Sequence, residues 1–118
     1  MGCTVSHGLS AEDVEAYETC SFFTATEVIQ ALQIFVTIAN NPKCDDPKSI
    51  TLPSATVAKW RGLCHNPFAR RICDVFSDDD GEFSFDEFLD MLSVFSEHAP
   101  KDVKATYAFR IYGAYTHV

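Results

Sequence analysis

One stretch constrains the fold of this chain more than any other. Residues 76–90 run Phe-Ser-Asp-Asp-Asp-Gly-Glu-Phe-Ser-Phe-Asp-Glu-Phe-Leu-Asp. Seven of the seventeen acidic residues fall between Asp78 and Asp90, with no Lys or Arg among them. A solvated face is the plain reading of an acidic run, but it does not account for the glycine at its centre or for Phe83 and Phe88. Acids spaced around one tight glycine turn suit a hard cation, which is held by about six to eight oxygens.

The spacing is that of an EF-hand loop with Gly81 at the sixth position. Asp78 and Asp80 then fall third and fifth, and Glu82 offers its backbone carbonyl at the seventh. Ser84 gives a hydroxyl or water contact at the ninth, and Glu87 takes the twelfth, where the bidentate carboxylate belongs. Phe83, at the eighth, is placed to pair this loop with a neighbouring one. The first position holds Phe76, which has no side-chain oxygen. In a second register Phe76 ends the incoming helix and Ser77 opens the loop, but Gly81 then falls fifth and Phe88 twelfth. The loop is one residue short between a good entrance and a good exit. The candidate metal residues are thus Asp78, Asp80, Glu82, Ser84 and Glu87. They are expected to hold Ca2+ weakly, at about 10⁻⁴–10⁻³ M or worse, with Mg2+ as the alternative ion.

The rest of the 118-residue chain is organised around this loop. Hydrophobic residues make up 47%, enough to exclude disorder by composition. A net charge of −8 argues against nucleic acid and against docking on anionic lipid by charge alone. Cys3, Cys20, Cys44, Cys64 and Cys73 are an odd number without CxxC spacing, and no secretory or membrane-length apolar run occurs. A reduced, cytoplasmic setting is expected. Cys64 and His65 bring no partners that would complete a zinc site.

The opening residues Met1 to Ser6 match the N-myristoylation pattern, with Gly2 as acceptor and Cys3 as a palmitoylation candidate. Residues 1–8 are therefore read as a flexible N-terminus with lipidation sites. One acyl chain binds membrane only marginally, and two would anchor it. Ser10 is expected to cap a helix over 11–17, with Glu12 and Asp13 in its first turn. Thr24 and Glu27 form a capping box for a second helix, whose inner face carries Val28, Leu32, Phe35, Val36 and Ala39. That helix stops at Asn40 to Pro42. Residues 41–54 offer Asp45 and Asp46 but no glycine turn and no terminal Glu, which reads as a lost loop or a long connector. A short strand over 49–52 and a short helix over 53–60 follow. Asn66-Pro67 signals a helix start, with Phe68, Ile72, Val75 and Phe76 facing inward. Beyond the acidic loop, Phe85, Phe88, Leu89, Leu92 and Phe95 share one stripe. Pro100 opens a last helix, expected to reach about Tyr112, with Val103, Tyr107, Ala108 and Ile111 inside.

Several blocks in order carry a family resemblance. They are residues 9–17, Phe22-Phe23-Thr24, residues 66–68 leading to Arg71-Ile72-Cys73, and Val75-Phe76-Ser77. Phe83-Ser84-Phe85, residues 92–97 and residues 107–112 complete the set. Together they resemble the calcium- and integrin-binding protein family, relatives of calcineurin B and the neuronal calcium sensors. The resemblance implies an all-α fold of paired EF-hands whose first two hands are degenerate. It also implies calcium or magnesium in the third and fourth hands, and a groove for partner helices, such as integrin cytoplasmic tails, formed mainly by the C-terminal half. This chain matches the N-terminal half plus one further helix, so those later loops are not among its residues. The expected organisation is a degenerate EF-hand pair over 9–99, then the entering helix of a truncated third hand and a tail over 100–118.

Two functions fit this reading. One is a weakly calcium-binding EF-hand adaptor that works through protein–protein contacts, with lipid-mediated membrane contact or self-association. The other is a metal-independent fragment that modulates a full-length relative or its partners. An enzyme is not expected, because His7, His65, His98 and His117 lie in separate segments and no nucleophile or phosphate-cradling motif occurs.

Overall fold

The computed structural model describes residues 9–40, 47–78 and 80–116. Among them are six helices and one minimal strand pair. The order is α1 (Ala11–Cys20), α2 (Ala25–Ile38), a 3-10 turn (Pro47–Ser49), β1 (Leu52–Pro53), α3 (Ser54–Ala58), α4 (Ala69–Phe76), β2 (Glu82–Phe83), α5 (Phe85–Val94) and α6 (Lys101–Thr116). The fold is all-α in class and of EF-hand type: two helix–loop–helix units joined across their loops.

Side-chain caps set the starts of α1, α2 and α5. Ser10 accepts from the Asp13 N–H at 3.0 Å, and the Asp13 carboxylate accepts from the Ser10 N–H at 3.3 Å, a reciprocal pair that opens α1. α1 extends to Cys20, three residues beyond the expected end. Thr24 and Glu27 open α2 in the same way, as their spacing requires. α2 closes where expected, with Asn40 at φ 59° just past its C-cap. No single described helix is long and apolar enough to cross a membrane, and α1 meets α2 at 101°.

Other boundaries also differ from expectation. α4 begins at Ala69 rather than at Asn66-Pro67. Asn66 instead folds a turn ahead of the helix, its side-chain oxygen accepting from the Phe68 N–H at 2.8 Å and its carbonyl from the Ala69 N–H at 3.0 Å. The short strand lies at Leu52–Pro53, with residues Pro47–Ser49 taken up by the 3-10 turn. Proline is tolerated at 53 because the two-residue strand has a free edge.

β1 pairs antiparallel with β2, Leu52 opposite Phe83 and Pro53 opposite Glu82. The Ser54 N–H extends the ladder to the Gly81 carbonyl at 2.8 Å. This pairing is how EF-hand loops join, so the segment leading to β1 holds the place of a first loop. Its residues 41–46, including Asp45 and Asp46, lie outside the described residues.

The core lies between α2, α4 and α5, with Phe83 rising from the strand pair. Phe35, Phe83, Phe85 and Phe88 are each at most 1% exposed. The Phe35 ring sits 5.7 Å from Phe85 and 5.3 Å from Phe88, in tilted contacts. Burying each such ring is worth about 1.5–3 kcal/mol. Met91, fully buried, belongs to this core although the expected stripe of α5 omits it. Phe95, at the end of that stripe, stays 45% exposed.

α6 is docked rather than standing free, and it continues to Thr116, past the expected end at Tyr112. Phe76 stacks on Tyr107 at 4.8 Å, and Phe68 meets Tyr112 edge-on at 4.6 Å. Arg71, half-buried on α4, donates to the carbonyls of Arg110 and Ile111 at 3.0 and 3.3 Å. Ile111 is fully buried, whereas Phe109 on the outer side is 77% exposed.

Candidate functional site

The acidic loop starts where α4 runs out. Phe76 ends the helix with its ring in the core, 6% exposed, so the first loop position faces away from any cation. The Ser77 N–H still donates to Cys73 at 2.8 Å, and the chain then turns at Asp78. One oxygen of the Asp78 carboxylate accepts from the N–H groups of Asp80 and Glu82, at 2.9 and 3.0 Å. The Asp78 N–H donates to the Glu82 carbonyl at 3.0 Å, and the Gly81 N–H donates to the Asp78 carbonyl at 3.0 Å. Gly81 sits at φ 76°, the left-handed turn that a glycine makes without strain. The loop is thereby closed on itself between residues 78 and 82.

The two candidates further along have local work of their own. Ser84 caps α5 by accepting from the Glu87 N–H at 3.4 Å, and Glu87 accepts from the Ser84 N–H at 2.8 Å. The negative ends of Asp86 and Glu87 also suit the start of a helix. All five sequence candidates therefore take part in hydrogen bonds within residues 78–87, and the carboxylate-bearing Asp78 and Asp80 are exposed. Among the described residues no group of three or more His, Cys, Asp or Glu side chains converges as metal ligands. Among the described residues the loop holds no ready-made calcium cage, because one oxygen of Asp78 and one of Glu87 are taken up by backbone N–H groups. Asp79 lies outside the described residues, as do the lipidation candidates Gly2 and Cys3.

A cleft of about 550 Å³ adjoins the loop, between α1 and the first turns of α5. The Tyr17 hydroxyl donates across it to Asp86, and the Tyr17 ring meets Phe85 edge-on at 5.1 Å. Burial, and then the Asp86 carboxylate, push the Tyr17 hydroxyl well above its ordinary pKa. Lys48 pairs with Asp13 at 3.0 Å on the same side. That bond, followed by the Ser10 backbone, holds Asp13 below the usual carboxylate range. Sequence spacing gave no sign that Tyr17 would reach Asp86, because the two are 69 residues apart.

No family model matches the chain. Individual curated proteins do. Calcium and integrin-binding family member 2 of Drosophila melanogaster is 40% identical over 107 residues, covering 86% of this chain and 57% of the fly protein. Calcium and integrin-binding family member 3 of Homo sapiens is 42% identical over 108 residues, covering 86% and 56%. Member 2 of Danio rerio is 39% identical over 106 residues, with the same two shares as the human protein. Over 86% of its length the chain is homologous to curated calcium and integrin-binding family members. It spans about half the length of the curated relatives it matches. Those family members are named for binding calcium and integrin, and the paired helix–loop–helix units described above are the all-α architecture of that family.

Proposed function

We propose that this chain is a non-enzymatic interaction domain of the calcium-sensing kind, an adaptor that works through protein–protein contacts and takes calcium only weakly. The observation that carries the reading is the loop's own hydrogen bonding. Asp78 and Glu87 already accept three backbone N–H groups between them. A cation would share those carboxylates with the amides they already serve and draw on Asp80, the Glu82 carbonyl and water, with nothing from Phe76. Affinity in the range of about 10⁻⁴–10⁻³ M follows, with Mg2+ weaker still because it demands a more regular cage. In a cytoplasm at resting calcium the loop stays closed. The partners that this homology suggests are amphipathic helices such as integrin cytoplasmic tails. Acyl groups on Gly2 and Cys3 would add membrane contact.

Isothermal calorimetry on the full chain tests the calcium part. The expected result is heat only at near-millimolar calcium, removed by Glu87→Gln. Micromolar affinity abolished by the same substitution would contradict it. A second reading, a metal-independent module that associates with itself or with a relative, is favoured by one feature. Phe109 stands 77% exposed on the outer face of a helix whose inner face is firmly docked.

A further inference from the structure

We propose that the cleft between α2 and α3 is a docking site for an amphipathic helix of another protein, one whose apolar stripe is flanked by Asp or Glu. This rests on the protein-contact reading above. It lies in the half of the fold described here, apart from the C-terminal groove that the family resemblance implies. The cleft has a volume of about 790 Å³ and lies open to solvent along the side of α2. Ile34 and Ile38, one turn apart on α2, form one wall, and the indole of Trp60 forms the other. All three are only half-buried although they pack against the core. Residues 30–38 of α2 run along the cleft for about 12 Å, which matches two turns of a helix laid into it. Such a helix would present apolar side chains at i, i+3 or i+4, and i+7.

Charge selects the partner. The charged side chains that line the cleft are Lys59 and Arg61, both exposed and both cationic, in a chain whose net charge is −8. The rest of the polar rim, such as Gln33, is neutral. An acidic flank on the incoming helix would be steered and held there, and a basic flank repelled. A second copy is a poorer occupant. The exposed Phe109 of α6 is followed by Arg110 and lies on the helix that carries Lys101 and Lys104, which would meet Lys59 and Arg61 as like charges.

The wall itself is held in place. Trp60 packs edge-on against Phe88 at 5.5 Å, and its six-membered ring lies over Gly62. A Cβ at position 62 would sit well inside van der Waals contact with that ring. Gly62 therefore lets the indole lie flat along the cleft, and Gly62→Ala would tip it.

Trp60 is the one tryptophan in the chain, so its fluorescence reports on the cleft directly. The experiment titrates the full chain, in chelator, with a helical peptide of about 18 residues carrying a leucine stripe flanked by Glu. A twin peptide has Lys in place of each Glu. The expected result is a saturable change in Trp60 emission, with the Glu peptide binding at least about tenfold tighter than its twin. In the variant Lys59→Glu/Arg61→Glu the order of the two peptides reverses, while far-ultraviolet circular dichroism stays that of the parent. Equal binding that the double variant fails to reorder would overturn the proposal, as would silence from both peptides. Emission that changes with protein concentration alone would assign the cleft to a second copy and overturn it too. The calcium reading is judged separately by calorimetry, so a failed peptide titration beside near-millimolar calcium binding removes this inference alone.

Discussion

Asp78 shows how one side chain can stand at a ligand position and still serve the backbone. Its carboxylate orders the loop through two N–H groups, so Asp78→Ala should cost about 1–2 kcal/mol in urea unfolding, and Asp78→Asn, which keeps an acceptor oxygen, distinctly less. An unchanged midpoint for Asp78→Ala would mean that the loop is not held by that side chain. A similar logic applies to thiols. Cys73 is 1% exposed, and burial pushes its thiol up to about 11. Cys20 and Cys64 are exposed. Alkylation of the native protein followed by mass spectrometry should label Cys20 and Cys64 quickly and Cys73 only after unfolding. At this scale the sequence showed which oxygens stand at ligand spacing, and it showed that Phe76 lacks one. It could not show that the Asp78 carboxylate turns back onto residues 80 and 82, because spacing is the same whether an aspartate points at an ion or at its own amides.

Helices and strands were legible wherever the signal was local. Thr24 with Glu27 marks the start of α2 from four residues alone, and the start is where that pair puts it. Asn66-Pro67 misleads by two residues because an Asx turn and a helix N-cap share the same side-chain chemistry, and only the backbone that follows tells them apart. The cleft beside Trp60 was not legible, since it depends on how a five-residue α3 sits against α2. Docking of α6 likewise depends on long-range ring contacts. Phe76 touches both Tyr107 and Phe95, so Phe76→Ala should destabilise the domain by about 3–5 kcal/mol and loosen α6. Hydrogen exchange would register the second effect as faster exchange in residues 101–112 than in α2. On the outer side of the same helix, Phe109→Glu should leave stability unchanged and abolish any concentration-dependent association seen by sedimentation. Association that survives the substitution would place that contact elsewhere.

For the molecule as a whole, three helices are pinned at their starts by carboxylates, Asp13, Glu27 and Glu87, and pH should reveal it. Asp13 is held below its ordinary value by Lys48 and then by the Ser10 backbone, and Glu27 by the Thr24 backbone first, with His98 nearby at 3.6 Å. A group whose folded pKa is depressed stabilises the fold above its unfolded pKa and loses that contribution as pH falls through the folded one. The melting temperature should therefore be level near neutrality and decline below about pH 4.5. Asp13→Asn and Glu27→Gln should each start lower and decline less over the same interval. Both carboxylates are still about a third exposed, so the slope is modest and flattens further in salt. The acidic loop is held by β1–β2 pairing, by the capping box of Ser84 and Glu87, and by the Asp78 turn, all of them contacts between protein groups. The amide of Gly81 sits at the centre of that closure, and its resonance during a calcium titration is the most direct test. That resonance should hold its position through micromolar calcium and move only as the ion nears millimolar concentration. A shift that saturates at micromolar calcium would contradict it.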